Sequence, residues 1–128
     1  MNRKEFFEAE KLNIGFKYPI EYVEFVDNSE SISNTPWWLI GNTQGAFNVS
    51  YHTINDIYNS TKLLIPFAKT DQSNMLACFD REHRVFLVSC EKNTVTNADW
   101  DNRFHFKNFN GWLEEVLSGE IFWFIQTL

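Results

Sequence analysis

Three short apolar segments in the middle of the chain constrain its fold more than any other feature. They are LLIPFAK (63–69), MLACF (75–79) and RVFLVS (84–89), and short polar stretches separate them. Segments of this length and composition are typical of β-strands. The charged stretch DREH between the last two predicts a hairpin turn, which suggests that Phe79 pairs with Arg84. RVFLVS is apolar on both faces and predicts a central strand, whereas Pro66 predicts that the first strand ends or bulges there, because proline cannot donate to a ladder.

Two further strands are predicted upstream of these three. WWLIG (37–41) and AFNVSY (46–51) have strand-like composition, and NTQG between them favours a turn. Trp37 and Trp38 are consecutive, so in a strand their side chains point to opposite faces of the sheet.

The clearest helix in the sequence is NFNGWLEEVLSG (108–119). Asn108 can cap its start and Gly119 its end. Its apolar residues recur at helical spacing and predict one buried face, made of Phe109, Trp112, Leu113, Val116 and Leu117.

Other segments predict shorter helices. NRKEFFEAEKLN (2–13) has Asn2 and Glu5 at the spacing of a capping box, PIEYVEFV (19–26) has proline at its first position, and TINDIYNS (53–60) is a short helix. The apolar tail EIFWFIQTL (120–128) fits either a last strand or a short helix. Helices enclose a run of strands, so the sequence predicts a single α+β domain over residues 1–128, with a largely antiparallel sheet flanked by helices.

Composition narrows the classes of function. A net charge of −6 argues against a nucleic-acid binder, whose affinity would depend on Lys and Arg. The acidity fits either ordinary solubility or an acidic face for a basic partner. We expect a cytoplasmic protein without a membrane anchor, because no signal peptide or spanning segment is visible.

No pattern in the sequence predicts a catalytic, metal or cofactor site. His52, His83 and His105 are scattered, Cys78 and Cys90 fit neither a zinc site nor a disulfide framework, and the motifs of hydrolases, phosphate loops and zinc proteases are missing. Two buried, reduced thiols are the interpretation that we favour for the cysteines. The sequence therefore predicts a protein that is not an enzyme.

The order of these segments resembles the SUKH superfamily, the group of small α+β domains of Smi/Knr type. The matching segments are YPIEYVEFV (18–26), WWLI (37–40), LIPFA (64–68), MLACFD (75–80), VFLVS (85–89) and NFNGWLEEVL (108–117). The chain departs from that pattern in two turns, where DNSES and DQSN stand in place of glycine-containing sequences. Residues 119–128 lie past the shared pattern.

The resemblance implies a non-enzymatic function. Many bacterial members look like immunity proteins that bind and silence a polymorphic or contact-dependent toxin, often a nuclease or a deaminase. Fungal relatives are regulators that act through protein partners. We therefore expect either an immunity protein for a basic toxin or a general protein- or peptide-binding regulatory module. The sequence does not determine the oligomeric state. It also does not determine whether the protein would bind the active site of the toxin or an exosite.

A partner surface is predicted from acidic loop residues and from tryptophans, because tryptophan is enriched at interface hot spots. Trp100, between two aspartates, is the favoured aromatic anchor, ahead of Trp38. The predicted residues are Asp27, Glu30, Trp38, Asp71, Glu91, Asp99, Trp100 and Asp101.

Overall fold

The computed structural model describes residues 3–28, 30, 32, 34–57, 62–70, 74–89, 100 and 104–119. These form an α+β fold, as the sequence predicts. The elements in chain order are a 3₁₀ segment (Arg3–Lys11), α1 (Ile20–Asp27), β1 (Trp37–Leu39), a 3₁₀ turn (Ile40–Asn42), α2 (Ala46–Ile57), β2 (Ile65–Thr70), β3 (Met75–Phe79), β4 (Val85–Ser89) and α3 (Phe109–Ser118).

The four strands form one antiparallel sheet in the order β1-β2-β3-β4. The predicted irregularity at Pro66 is confirmed: Pro66 pairs with Cys78 and Ala68 with Ala77, so Phe67 occupies a bulge. The sequence predicts RVFLVS as a central strand, whereas β4 is the last strand of this order among the described residues. Its residues are nevertheless buried on both faces, and Phe106 forms a bridge to Val85 along its outer side.

The prediction of a strand at AFNVSY is wrong, because these residues form the first half of α2. Phe47, Tyr51 and Ile54 recur at i, i+4 and i+7, and the rings of the first two stack with centroids 5.5 Å apart. Gly45 enters the helix with φ of +81°, a conformation that suits glycine. TINDI, predicted as a separate short helix, is the second half of the same helix.

The predictions for α1 and α3 are largely confirmed. Pro19 lies one residue before α1, in extended conformation, rather than at its first position. Asn108 caps α3 by accepting a hydrogen bond from the Gly111 amide at 2.9 Å, and Gly119 ends the helix at φ of +82°. The prediction that Leu117 is buried is wrong, because 58% of it is exposed.

Strand alternation divides the buried residues between the two faces of the sheet. The first face carries the larger core, in which α1, α3 and the N-terminal segment pack on Ile65, Phe67, Ala77, Phe79 and Leu87. The second face carries a smaller core of Ile54, Leu64, Leu76, Cys78, Phe86, Val88 and Trp100. Burial of Cys78 agrees with the prediction of a buried thiol, and Cys90 lies outside the described residues.

The N-terminal segment is fixed by buried contacts. Phe7 interrupts its helical geometry with φ of −122° and ψ of 26°, while Phe6 and Ala9 are buried and Leu12 is exposed. The Tyr22 hydroxyl donates to the Phe6 carbonyl at 3.0 Å. Burial raises the pKa of Tyr22 well above its usual value, so this hydroxyl stays protonated as a donor.

Gly41 allows the Phe6 ring to approach the backbone closely. A Cβ at this position would lie within 2.6 Å of Phe6 Cγ, whereas one at Gly111 would lie 3.5 Å from the nearest atom, Asn108 Oδ1.

We expect Gly41→Ala to lower the free energy of unfolding by about 1–3 kcal/mol through overpacking. Urea denaturation would measure this. The control, Gly111→Ala, lies inside a helix and should leave stability unchanged or higher; equal stability of the two variants would contradict the packing described here.

Candidate partner-binding surface

Helices α1 and α3 lie side by side on the first face of the sheet. Tyr22 and Phe25 of α1 both meet Phe109 of α3 edge to face, with ring centroids 5.5 and 5.6 Å apart. Trp112 and Val116 of α3 are buried in the same core. Because their apolar sides are fixed inward, the two helices turn their polar sides away from the sheet.

The outward sides of the two helices are acidic. Neither helix contains a Lys or Arg residue. The exposed or half-buried carboxylates are Glu21, Glu24 and Asp27 of α1, and Glu114 and Glu115 of α3. Two large aliphatic side chains lie on the same helices, Ile20 at 61% and Leu117 at 58% exposed. We refer to these seven residues as the helix surface.

Two of the sequence-predicted acidic residues lie at or beside this surface. Asp27 is the last residue of α1 and is exposed. Glu30 is exposed just beyond the helix, where its amide donates to the Phe25 carbonyl at 3.2 Å. Trp38 is half-buried in β1 and packs against the larger core. Asp71, Glu91, Asp99 and Asp101 lie outside the described residues.

Trp100, which the sequence favours as the aromatic anchor, is buried in this structure. It is 7% exposed and belongs to the smaller core on the second sheet face, where its ring meets Phe86 edge to face at 5.3 Å. Burying an indole against an aromatic ring removes a large apolar area from water, which explains why the side chain leaves the surface. A residue so placed cannot serve as a surface contact in this conformation.

Sequence reasoning missed most of the helix surface. Glu21, Glu24 and Asp27 recur at every third position of a helix that the sequence did predict, so the signal was present. No sequence pattern indicates that Ile20 and Leu117 are exposed, since an apolar residue in an amphipathic helix is ordinarily expected to face the core.

A buried ion cluster lies at the β3–β4 turn. The Asp80 carboxylate is 1% exposed, and its Oδ2 atom is 2.7 Å from Arg84 Nε and 3.3 Å from Lys62 Nζ. Its Oδ1 atom accepts hydrogen bonds from the amides of Glu82 and Arg84 at 3.0 and 2.8 Å. The carboxylate therefore has both charge partners and hydrogen-bond donors.

Opposing effects determine the pKa of Asp80. Burial alone would raise it, but the hydrogen bonds from Arg84 and the charges of Arg84 and Lys62 prevail, so the pKa lies below its usual 3.8. Both cations also lie near the Phe86 ring, at 5.4 Å from its centroid. These partners come from the turn, from Phe86 of the smaller core and from Lys62 just before β2, so the cluster joins the hairpin to the segment before β2.

This turn also corrects the register that the sequence suggested. Phe79 pairs with Val85 rather than with Arg84, and Cys78 pairs with Phe86. Asp80 and Arg84 instead close the loop, since the Asp80 amide donates to the Arg84 carbonyl at 3.1 Å. His83 adopts φ of +65°, and its Nε2 donates to the Lys17 carbonyl at 2.6 Å, which joins the hairpin to the segment before α1.

The three histidines lie apart in the structure. His52 is exposed on α2, His83 lies in the hairpin turn, and His105 packs against Phe86 with ring centroids 5.0 Å apart. Within the described ranges, no three His, Cys, Asp or Glu side chains are grouped so as to hold a metal ion. Over the same part of the chain, no helix has the length and apolar character needed to cross a membrane.

Comparison with known proteins finds no relative from which a function could be assigned to the helix surface. The chain matches no protein-family model, and searches against curated proteins and solved structures return no match.

The ion cluster predicts a pH-dependent contribution to stability. We expect Asp80→Asn to lower the free energy of unfolding by about 2–4 kcal/mol at pH 7, because it removes the buried negative charge that pairs with Lys62 and Arg84. The folded pKa is depressed, so this stability is present above the unfolded pKa and is lost as the pH falls through the folded pKa. The difference between wild type and variant should therefore shrink below about pH 4.

Urea denaturation from pH 7 to pH 2.5 would follow that difference. Glu82→Gln is the matched control, because Glu82 is 76% exposed and lies 3.6 Å from Arg84. Its effect should stay within about 0.5 kcal/mol at all pH values. A difference between wild type and Asp80→Asn that does not change with pH would contradict the role given to the carboxylate.

Proposed function

We propose that the protein is an inhibitor of the immunity type, which binds a basic toxin domain and silences it by protein–protein contact. The observation that carries the proposal is the helix surface, in which five carboxylates on two packed helices are not interrupted by Lys or Arg. The sequence resemblance to the SUKH superfamily supports the same function. A nuclease or deaminase domain is the class of toxin that this resemblance favours.

Electrostatic attraction to the acidic surface would speed the binding of a basic toxin. A basic toxin and an inhibitor with a net charge of −6 attract each other over distances of about a Debye length, ~8 Å at physiological ionic strength. Steered association of this kind raises association rates by about two to three orders of magnitude over neutral pairs. Fast capture matters for an inhibitor because every unbound toxin molecule is active.

Co-expression tests the function directly. The product of a neighbouring gene with a toxin-like C-terminal domain should arrest growth when expressed alone and be harmless with this protein, and the two should purify together. If the neighbouring product is not toxic, and the protein instead binds a host protein, the regulatory binding module is the correct alternative. If that toxin remains lethal during co-expression, the immunity proposal fails.

Charge reversal on α1 tests where the toxin binds. We expect Glu24→Lys with Asp27→Lys to weaken toxin binding by about 10- to 1,000-fold, mainly through a slower association rate, because repulsion replaces attraction at the helix surface. Biolayer interferometry at several salt concentrations would measure both rate constants. The salt dependence of association should also decrease.

Two comparisons make that test specific. Asp56→Lys alters an exposed acidic residue on α2, and it should leave the affinity within about twofold. Asp99→Lys with Asp101→Lys tests the acidic loop that the sequence favours. Loss of binding in this loop variant, with full binding in the α1 variant, would place the interface on the loop instead.

A further inference from the structure

The outward side of α1 combines an apolar residue with two carboxylates in a single row. Ile20, Glu24 and Asp27 stand at i, i+4 and i+7, which places their Cβ atoms about 5–6 Å apart along one face of the helix. Ile20 is 61% exposed, although it occupies the first turn of a helix whose Tyr22, Phe25 and Val26 are buried. Along this row, the apolar side chain of Ile20 is therefore followed by two acidic side chains.

Isolated exposed aliphatic residues are common, so the position of Ile20 matters more than its exposure. Leu117 on the neighbouring helix α3 is exposed to a similar extent, 58%, and Glu114 lies one turn before it. Both helices of the helix surface thus present one large aliphatic side chain beside carboxylates. Protein interfaces combine apolar and charged groups in the same way.

We infer that Ile20 is an apolar anchor of the helix surface, and that the partner segment that binds there is a cationic amphipathic one. The inference rests on the proposed function, and it adds the chemistry of the contact. An aliphatic or aromatic side chain of the partner packs on Ile20, and Lys or Arg one and two turns along meets Glu24 and Asp27. An anionic membrane surface is disfavoured as the occupant, because the same carboxylates would repel it.

Charge complementarity selects this partner over other apolar surfaces. A neutral apolar segment would cover Ile20 but remove water from the Glu24 carboxylate without giving it a cationic partner, which costs free energy. A purely basic segment would pair the carboxylates and leave Ile20 in water. Only a segment with both features satisfies the whole row.

Synthetic peptides can test the inference without knowledge of the toxin. The probes are amphipathic helical peptides of about 18 residues, or five turns, in Leu/Lys, Gln/Lys and Leu/Glu forms. We expect the Leu/Lys peptide to bind at least about tenfold more tightly than the other two, because it alone fits both the anchor and its rim. Titration followed by amide NMR shifts should locate the binding at residues 20–27.

Matched variants separate the anchor from general hydrophobicity. Ile20→Asn should weaken Leu/Lys binding about tenfold, whereas Val49→Asn, at an equally exposed position on α2 (67%), should not change it. Both positions are on the surface, and circular dichroism would verify the fold of each variant. Equal binding of the Leu/Lys and Gln/Lys peptides, or equal effects of the two substitutions, would overturn the inference.

The two proposals can fail separately. If the toxin is neutralised but Ile20→Asn changes neither peptide nor toxin binding, the anchor is wrong and the immunity function stands. If the peptide depends on Ile20 while no toxin is neutralised, the surface binds cationic segments and the immunity function is wrong.

Discussion

The stack of Phe67 on Phe79 is the contact on which the rest of the structure depends. Their ring centroids are 4.3 Å apart and the rings are nearly parallel, at 19°. Tyr22 meets both rings edge to face, and so α1 is attached to the sheet. Phe109 and Trp112 meet Phe67 at 5.7 and 4.9 Å, and so α3 is attached as well. Phe67 lies at the bulge of β2 and its ring belongs to the larger core, so a single side chain contacts both helices.

The packing of these rings determines which charges reach the solvent. Each aromatic pair adds about 0.5–1.5 kcal/mol beyond its area burial, and the pairs are directional, so they fix the rotation of each helix about its axis. With Tyr22, Phe25 and Phe109 turned inward, Glu24, Asp27 and Glu114 are turned outward. The acidic helix surface is therefore a consequence of the aromatic core.

The buried and exposed carboxylates of this protein differ in their surroundings. Asp80 is enclosed, paired with Lys62 and Arg84, and bonded to backbone amides, so its charge serves the hairpin. The acids of α1 and α3 share their helices with no basic residue and face outward, so they give the helix surface its negative charge. Position relative to the core, and not residue type, separates a structural carboxylate from a candidate binding carboxylate.

Several elements of the fold could be predicted because their signals are local. Apolar segments of strand length, the helical period with caps in α3, and the proline in β2 each act over a few residues. The strand prediction for AFNVSY is wrong because its apolar spacing fits both an alternating strand and a helix. The stacking of Phe47 on Tyr51 stabilises the helix. Burial of Trp100 depends on Phe86, which is distant in sequence, so no local pattern could reveal it. The acids of the helix surface could be read from their spacing, but which side of the helix they occupy follows from the aromatic core.

Hydrogen–deuterium exchange of the protein, alone and in complex with the basic toxin that we propose as its partner, tests the central claim most directly. The account predicts added protection in residues 20–27 and 109–118, because the partner covers α1 and α3, with little change in α2 or in the β3–β4 turn. Protection confined to α2 or to the turn, with α1 and α3 exchanging as in the free protein, would contradict it.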